Sequence, residues 1–260
     1  MIPESIERRI SGKSFVADEI GLSKAKVTVF DDCVLKIAPY QKKNEETVAV
    51  MRWLENRLPV PKVLCYERDA EHQYLLMSRV PGKMACDAYY LERPKELTAR
   101  LAEAVRMLWS VDVSDCPRRR DPDAELREAR LRVENHMVDT DNAQPGTFGP
   151  GGFRDPEHLL AWLENNRPAY DPVLSHGDLC LPNIFIDGGG IGGFIDLGDT
   201  GIGDKWRDIA LCFRSLQSNA AGAYGGRVYP DARPDMLFDA LGIAPDHEKL
   251  RYYILLDELF

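Results

Sequence analysis

The sequence lacks the features that direct a protein into or across a membrane. No run of about 18 apolar residues occurs in the chain, so we expect no membrane-spanning helix. The N-terminal segment, MIPESIERRISGKSF, has no apolar stretch of the kind found in signal peptides. Together these absences favour a cytoplasmic protein.

Paired cysteines are also absent. The cysteines are scattered and form no CxxC pair, which argues against a disulfide framework and against a zinc site. In a cytoplasmic protein we therefore expect free and mostly buried thiols. The positions are Cys33, Cys65, Cys86, Cys116, Cys180 and Cys212.

Positive charge is in short supply. The 260 residues include 33 Lys and Arg against 42 Asp and Glu, which gives a formal net charge of −9. An acidic chain repels phosphate backbones, so we expect no nucleic-acid partner. The acidic excess favours a cationic substrate only weakly, because solvated acidic faces also keep proteins soluble.

Apolar residues make up 44% of the chain, which is enough for the core of one or two globular domains. Up to residue 80 the pattern is mostly that of strands, because apolar and polar residues alternate and β-branched residues are frequent. One helix, Glu45–Arg57, is predicted among them. The predicted strands are Phe15–Ile20, Ala25–Phe30, Cys33–Ala38, Lys62–Arg68 and Tyr74–Ser78.

After Pro81-Gly82 the apolar residues recur at helical spacing. In the predicted helix Asp121–Val138 the inward positions include Leu126 and Leu131. We expect an α+β protein with a small antiparallel-sheet lobe at residues 1–80, a hinge at about 77–82, and a larger helical lobe at residues 83–260. The predicted helices are Pro94–Val111, Asp121–Val138, one that begins at Asp155-Pro156, Lys205–Asn219, Asp235–Leu241 and Asp246–Glu258.

The most informative stretch is Val173–Asp208, VLSHGDLCLPNIFIDGGGIGGFIDLGDTGIGDKWRD. It holds Asp178, then Asn183 after a short loop, then Asp196 after a predicted hairpin. This order of acid, amide and acid is typical of a kinase catalytic loop with its metal-binding acid. Asp178 would accept the proton of an incoming hydroxyl, and the other two side chains offer oxygen ligands for Mg²⁺. Taken singly, the three residues could instead stabilise a turn or cap a loop or helix.

Two further residues take their interpretation from this motif. His176 precedes the acid, and we interpret it as structural because the sequence offers no partner for a catalytic triad. Lys36 lies inside an apolar strand, where it could contact the α- and β-phosphates if an acid offsets its burial. Glu45 and Glu46 in the following helix are both candidates for that acid, and the alternative is an edge-strand lysine that faces water.

Weaker signals lie at the two ends of the chain. Ser23 falls in the turn Gly21–Ala25, whose backbone and hydroxyl could cover phosphates, although a plain hairpin turn fits equally well. Asp257, Glu258 and the terminal carboxylate of Phe260 follow a strongly apolar stretch and would suit a polyamine if docked near a cleft. An ordinary acidic tail is the alternative.

These motifs resemble the aminoglycoside 3′-phosphotransferases, enzymes with a bilobal protein-kinase-like fold. The resemblance covers nearly the whole chain and implies ATP and Mg²⁺ as cofactors and a polycationic aminoglycoside as substrate. The segments that carry it are LSHGDLCLPNIF (174–185), GGFIDLGDTGIGDKWRDIALCFRS (192–215), LPVPKVL (58–64), DVSDCP (112–117) and YYILLDELF (252–260).

The resemblance also implies a role for each matching position. Asp178 matches the catalytic aspartate, and the nucleotide loop falls on Leu22 and Ser23. Backbone groups of Ser78 and Val80 match those that hold adenine. Other implied roles belong to Asn183 and Asp196 as magnesium ligands, Lys36 as the phosphate lysine, and Asp257, Glu258 and Phe260 as the acidic end that grips amines.

Two positions depart from the family pattern. Asp199 stands where the family usually has arginine, which reverses the charge beside the expected substrate site and suggests a further acid for substrate amines. In the family, a glutamate pairs with the phosphate lysine. Counting back from Trp53 places that glutamate position on Thr47 in this chain, and Glu46 is one residue away. These changes affect the expected substrate range more than the expected ATP chemistry.

The sequence therefore predicts an ATP-dependent kinase of the 3′-hydroxyl of aminoglycosides that confers antibiotic resistance and acts as a monomer or weak dimer. The alternatives are a kinase of the same fold for another small alcohol, such as choline, an amino sugar or a macrolide, and a nucleotide-binding module without catalysis. The presence of Lys36, Asp178, Asn183 and Asp196 argues against the module.

Overall fold

In a computed structural model, which describes residues 2–18 and 25–260, the N-terminal part of the chain forms a five-stranded antiparallel sheet. The strand order is β1-β2-β3-β5-β4. The five predicted strands are confirmed within one or two residues, except that residues 19 and 20 of the first lie outside the described residues. The bounds are β1 Phe15–Asp18, β2 Lys26–Phe30, β3 Cys33–Pro39, β4 Val63–Arg68 and β5 His72–Ser78.

Strand β3 lies in the middle of this sheet and separates two apolar layers. Leu35 points to a small core on one face, where it is 1% exposed. Lys36 is on the opposite face, and its register partner Leu75 on β5 belongs to the main core of the protein. The alternation of a strand therefore directs Lys36 toward the body of the molecule.

Two helices accompany the sheet: α1, Glu4–Ile10, and α2, Lys42–Leu54. The sequence does not predict α1, which is short and buries only Ile6 against the sheet. Helix α2 begins three residues before the predicted Glu45, because the polar residues at its start take helical geometry without contributing to the apolar stripe. The stripe itself is confirmed, with Val48, Met51 and Leu54 buried.

The rest of the chain is mainly helical, as predicted. Helix α5 ends at Glu134 rather than Val138, and Leu131, predicted to face inward, is 59% exposed. Leu126 on the same helix is buried. The helices are α3 Ala88–Leu91, α4 Pro94–Trp109, α5 Pro122–Glu134, α6 Pro156–Asn165, α7 Lys205–Ala220, α8 Met236–Leu241 and α9 His247–Asp257.

Short strands between these helices carry the central motif. The predicted hairpin is present as β8 and β9, which pair antiparallel across a glycine turn with positive φ at Gly188 and Gly189. Strand β9 ends at Phe194, two residues before Asp196. The bounds are β6 Lys83–Met84, β7 Pro172–Ser175, β8 Ile184–Asp187, β9 Gly190–Phe194 and β10 Gly201–Asp204.

Two features of the composition are borne out. All six cysteines are free thiols, as predicted, but only Cys33 and Cys212 are buried, and the other four are partly exposed. Over residues 2–18 and 25–260, the helices are too short or too polar to cross a bilayer.

Candidate active site

The loop that carries Asp178 is anchored from beneath by a buried acid. The backbone N–H groups of His176 and Gly177 donate to the two carboxylate oxygens of Asp208 at 2.9 and 3.0 Å. Gly177 has φ of +83°, and a Cβ there would lie 2.5 Å from the carbonyl oxygen of Asp199. Only glycine permits this backbone path, which brings two loops of the motif into contact.

His176 has the structural role that the sequence predicts. Its side chain is fully buried, and Nε2 lies 2.9 Å from the carbonyl oxygen of Ile195. The backbone N–H of Asp178 points to Nδ1 at 3.3 Å. The ring therefore joins the loop of Asp178 to the residue that precedes Asp196.

The Asp178 carboxylate is held by two neighbours in the same loop. Asn183 donates through Nδ2 to Oδ2 at 3.0 Å and to the backbone carbonyl of Asp178 at 2.9 Å. The thiol of Cys180 lies 3.0 Å from Oδ1. Both side chains follow Asp178 within one turn, because a 3₁₀ turn, Leu181–Asn183, folds the chain back.

Asp196 lies beside this loop and close to the N-terminal sheet. The backbone N–H of Ile195 donates to the carbonyl of Asn183 at 3.0 Å, which fixes the two segments together. Asp196 has left-handed backbone angles, φ 60° and ψ 56°, and its side chain is 52% exposed. Lys36 approaches its Oδ1 to 3.0 Å. Lys36 thus contacts Asp196, Asn183 contacts Asp178, and the backbone bond from Ile195 to Asn183 joins the two pairs.

The partner of Lys36 differs from the prediction. Its carboxylate partner is Asp196, and no contact with the helix that follows β3 is present. Glu45 is instead paired with Arg68 at 2.8 Å and with the Tyr40 hydroxyl at 3.1 Å. Arg68 and Tyr40 therefore take the place of Lys36 at Glu45, a tertiary effect that strand and helix patterns do not reveal.

The other candidate, Glu46, is exposed and lines a cleft of about 280 Å³ with Lys43 and Arg118. Thr47, at the position where the family's glutamate falls, accepts a hydrogen bond from Arg118 Nη1 at 3.2 Å. The expected lysine–glutamate pair is therefore replaced by other contacts on this face of α2.

The donor set beside Asp178 fits a magnesium ion bound together with phosphates. Both hydrogen bonds of the Asn183 side chain use its nitrogen, which leaves its amide oxygen available. Asp196 adds an accessible carboxylate. Within the described residues no group of three His, Cys, Asp or Glu side chains could hold a metal alone. One amide and one carboxylate, completed by phosphate oxygens and water, is a common arrangement for Mg²⁺.

Of the residues predicted to bind the nucleotide, the structure describes those expected to bind adenine but not those of the phosphate-covering loop. Leu22 and Ser23 lie outside the described residues. Ser78 ends β5, and its N–H already donates to the carbonyl of Lys62 at 2.9 Å. The backbone N–H of Val80 has no acceptor among the described residues, and its side chain packs against Gly193 of β9.

Asp199 was expected to meet substrate amines, yet its carboxylate is already bound by cations of the protein. Oδ1 lies 2.8 Å from Lys43 Nζ and 3.0 Å from Arg120 Nη2. Burial alone would raise the pKa of Asp199, but these two cations outweigh it and lower the pKa to about 2. The charge reversal at this position is thus compensated internally.

The acidic end of the chain is docked, and it is also paired with arginines. Asp257 contacts Arg207 at 2.7 Å and forms a second ion pair with Arg214. Glu258 lies 3.6 Å from Arg214 and accepts from the backbone N–H of Gln144 at 2.8 Å. The sequence predicts a docked, apolar-anchored tail but does not reveal these partners.

Phe260 is held by a separate set of contacts. Arg132 donates to the carbonyl oxygens of Leu259, at 2.8 Å, and of Phe260. The guanidinium groups of Arg120 and Arg207 lie 5.9 and 6.0 Å from the centre of its ring. The end of the chain is therefore fixed close to the cluster around Asp199.

Sequence reasoning missed the most buried charged pair of the site. Arg207 on α7 is 4% exposed and binds Glu125 of α5, which is 2% exposed, at 3.2 Å. Its Nε also donates to the carbonyl of Gly177, next to Asp178. A charged residue within an otherwise apolar helical stripe was the available signal, since α7 buries Trp206, Arg207 and Asp208 in succession.

This fold and this loop define the class of the protein. A kinase-like arrangement joins a sheet that carries a lysine to a catalytic loop with an aspartate, an asparagine and a second aspartate, as in enzymes that transfer phosphoryl groups. Residues 19–253 match the model of the phosphotransferase enzyme family. The predicted α+β fold with two kinase-like lobes is confirmed by the solved structures described next.

The comparisons agree over the full length of the chain. An aminoglycoside 3′-phosphotransferase from Enterococcus faecalis is 37% identical over 269 residues, covering 100% of this chain and 98% of the relative. A type VIII aminoglycoside 3′-phosphotransferase structure has TM-score 0.82 at 29% identity, covering 98% of this chain and 97% of its own. The aminoglycoside phosphotransferase APH(3″)-Id from Streptomyces rimosus, in complex with ADP and streptomycin, has TM-score 0.78 at 27% identity, covering 98% and 95%.

The chain belongs to the phosphotransferase enzyme family and, within it, to the aminoglycoside 3′-phosphotransferases.

Proposed function

We propose that this enzyme transfers the γ-phosphoryl group of ATP to the 3′-hydroxyl of an aminoglycoside. The observation that carries the proposal is the placement of the Lys36–Asp196 pair beside the Asn183–Asp178 pair, which the backbone hydrogen bond from Ile195 to Asn183 holds together. Such contacts support a site in which lysine, metal ligands and base act on one phosphoryl group. The name of the Enterococcus faecalis relative supports the acceptor and its 3′ position.

Asp178 acts as the base in this proposal. Its carboxylate orients the 3′-hydroxyl and accepts the proton as the oxygen attacks phosphorus. The bonds from Asn183 and Cys180 restrain the carboxylate before the substrate arrives, so little reorganisation is needed. The remaining contribution of the protein is the placement of the two reactants.

Asn183 and Asp196 would hold Mg²⁺, which bridges phosphate oxygens and offsets their charge. Lys36 binds the α- and β-phosphates. Its present contact with Asp196 supports this, because phosphate oxygens that take the ammonium group would release the carboxylate for the metal ion. Lys36 would therefore pair with Asp196 before the nucleotide binds and with the phosphates afterwards.

Adenine is bound in our proposal by the backbone of Ser78 and Val80. The N–H of Val80, which has no acceptor in the described part of the chain, supports a role as donor, and the carbonyl of Ser78 would serve as acceptor. Leu22 and Ser23 would cover the phosphates. The division into a nucleotide lobe at residues 1–80, a hinge at about 77–82 and a catalytic lobe at residues 83–260 follows the same proposal.

The aminoglycoside amines are bound by Asp257, Glu258 and the terminal carboxylate of Phe260. Because Arg207 and Arg214 already neutralise part of this charge, an amine must compete with a guanidinium for each carboxylate. The geometry favours an indirect role for Asp199, through Lys43 and Arg120, over direct contact with an amine.

Biological context completes the proposal. We infer that the enzyme acts in the cytoplasm, as a monomer or weak dimer, and that phosphorylation protects the host from the antibiotic. The formal net charge of −9 supports a polycationic substrate and disfavours nucleic acid as a partner.

A comparison of two acceptors tests the proposal. The purified enzyme is assayed with ATP and Mg²⁺ on kanamycin and on tobramycin, which lacks the 3′-hydroxyl. We expect phosphate transfer to kanamycin and none to tobramycin. Equal transfer to both would overturn the 3′ position. Transfer to choline, an amino sugar or a macrolide, with none to kanamycin, would overturn the aminoglycoside assignment.

A further inference from the structure

We infer that Arg118 is a positioning residue for the 3₁₀ turn Leu197–Asp199, which directly follows the proposed ligand Asp196 and is called the metal-binding turn. Arg118 holds this turn in place and couples helix α2 to it. The inference rests on the proposed function, because it concerns the magnesium ligand Asp196. It adds a residue outside the catalytic motif, in the segment that leads from the DVSDCP motif into α5.

The contacts of Arg118 span three parts of the molecule. Nε donates to the carbonyl of Thr200 at 2.6 Å, and Nη2 donates to the carbonyl of Leu197 at 2.9 Å. Nη1 donates to the hydroxyl of Thr47 on α2 at 3.2 Å. One guanidinium therefore bonds both ends of the 3₁₀ turn after Asp196 and a helix of the N-terminal lobe.

The turn needs such support. Asp196 has left-handed backbone angles, which are costly for a residue with a side chain unless the surroundings impose them. The residues that accept from Arg118 are themselves buried, Leu197 to 4% and Thr200 to 0% exposure. Hydrogen bonds to buried carbonyl groups are favourable, so Arg118 stabilises the conformation that presents Asp196, together with the backbone N–H of Thr200, which donates to the Leu197 carbonyl at 3.3 Å.

Arg118 is itself held rigidly. It is 8% exposed, and its carbonyl accepts from the backbone N–H of Ile202 at 2.9 Å. The N–H of Arg120 donates back to Ile202 at 2.7 Å, so the segment runs alongside β10. A planar guanidinium on a fixed backbone can direct three donors at once, which a lysine ammonium cannot do with the same geometry.

The bond from Arg118 to α2 lies where the family would have the glutamate that pairs with the phosphate lysine. Lys36 pairs with Asp196, and Glu45 pairs with Arg68, so no glutamate of α2 reaches the phosphate lysine. Thr47 occupies that place and bonds Arg118 instead. The position of α2 is thereby connected to the metal-binding turn through Arg118, beside the ion pair of Lys43 with Asp199, rather than through Lys36.

Nucleotide binding with and without metal tests this inference. Titration calorimetry with ADP in EDTA and with ADP and Mg²⁺ is carried out on the wild type, Arg118→Ala and Arg118→Lys. Mn²⁺ binding in the presence of ADP, followed by electron paramagnetic resonance, reports on the metal directly. Neither measurement needs the aminoglycoside.

We expect the two Arg118 substitutions to weaken metal binding and to leave metal-free nucleotide binding nearly unchanged. In both variants metal-free ADP should bind within about twofold of the wild type, as for a change away from the base and phosphates. The strengthening of ADP binding by Mg²⁺, and Mn²⁺ affinity, should fall by about 10- to 100-fold, as for residues that orient metal ligands. Arg118→Lys also covers the case in which Arg118→Ala does not fold.

The matched control is Arg119→Ala. Arg119 is the adjacent arginine, and its side chain contacts Asp121 at 3.0 Å and does not contact the turn. It should keep the full metal effect. Equal loss in Arg119→Ala, an unchanged metal effect in the Arg118 variants, or equal weakening of both ADP titrations would overturn the inference. A wild type whose ADP binding ignores Mg²⁺ would overturn the proposed metal site instead.

Discussion

At the scale of single residues, the proposed chemistry depends on the orientation of one carboxylate. The two oxygens of Asp178 are each approached by a donor, the amide of Asn183 on one side and the thiol of Cys180 on the other. A carboxylate restrained on both sides keeps one direction for the incoming hydroxyl. Cys180 is the unexpected member, because a thiol is a weak donor.

Cys180 gives the first prediction. Removing the thiol donor by Cys180→Ala should lower kcat severalfold with little change in the KM for ATP, because Asp178 loses one restraint and nucleotide contacts remain. Cys180→Ser keeps a donor and should restore most of the activity. Steady-state kinetics on kanamycin checks this, and equal kcat in all three proteins would contradict it.

The same cysteine should be chemically inert. Burial, with the nearby charge of Asp178, raises the pKa of the Cys180 thiol, so little thiolate exists at neutral pH. Mass spectrometry after iodoacetamide treatment of the native enzyme should find Cys180 unmodified. Rapid modification at this position would show that the thiol is not held as the structure describes.

At the scale of elements, a buried ion pair joins three helices behind the catalytic loop. Arg207 of α7 binds Glu125 of α5 and Asp257 of α9, and it also donates to the carbonyl of Gly177. Burial raises the pKa of Glu125 to about 7, whereas Arg207 and Arg120 favour its charged form. The pair fixes the packing of the helices that carry the two halves of the site.

Breaking this pair should be costly, which is the third prediction. Arg207→Met leaves Glu125 buried without its partner and should reduce the free energy of unfolding by about 3–5 kcal/mol. The double variant with Glu125→Leu should recover most of that loss. Chemical denaturation measures both. Arg130→Met is the control, since Arg130 is half-exposed in its pair with Glu164 and should cost at most about 1 kcal/mol.

Additive losses in the double variant would contradict this account of the pair. They would mean that Glu125 and Arg207 stabilise the helices independently, through packing alone, and that neither residue depends on the charge of the other.

The helices and strands could be predicted well from the sequence, but the side-chain pairs between them could not. Apolar periodicity identified α4, α7 and α9, and the order Asp178, Asn183, Asp196 predicted residues that lie close together, with Asn183 bonded to Asp178 and to the backbone N–H of Ile195. The pairing of Lys36 with Asp196 depends on how two distant segments pack, which no local pattern records. Leu131 shows the same limit, because helical spacing does not tell which apolar residue lies at the edge of the stripe.

At the scale of the whole molecule, polar contacts join the N-terminal lobe to the catalytic lobe. Lys43 of α2 pairs with Asp199 and with Glu128 of α5, at 2.8 and 3.2 Å. Arg120 binds the same two acids. The alternating charges form a network beside the metal-binding turn, and Asp199 is at its centre.

This network predicts how stability depends on pH. The pKa of Asp199 is about 2 in the folded protein, below its ordinary 3.8, so its stabilisation is present above pH 3.8 and is lost as the pH falls toward 2. Asp199→Asn should be less stable than the wild type at pH 7. The difference should shrink as the pH falls below 3.8 and disappear below pH 2, because both proteins then lack the charge.

Thermal unfolding followed by circular dichroism over this range checks the prediction. Other carboxylates titrate in both proteins, so the comparison isolates Asp199. A difference in stability that stays constant from pH 7 to pH 2 would show that the Asp199 charge is not what joins Lys43 and Arg120 in solution.

The most direct test of the whole account is the rate of phosphate transfer to kanamycin by Asp178→Asn. The amide keeps the shape and the Asn183 contact of the side chain but cannot accept the hydroxyl proton. We predict that kcat falls by about 10²- to 10⁴-fold or more while the affinity for ATP and Mg²⁺ is unchanged. Turnover at the wild-type rate would contradict the assignment of Asp178 as the base and, with it, the site described around it.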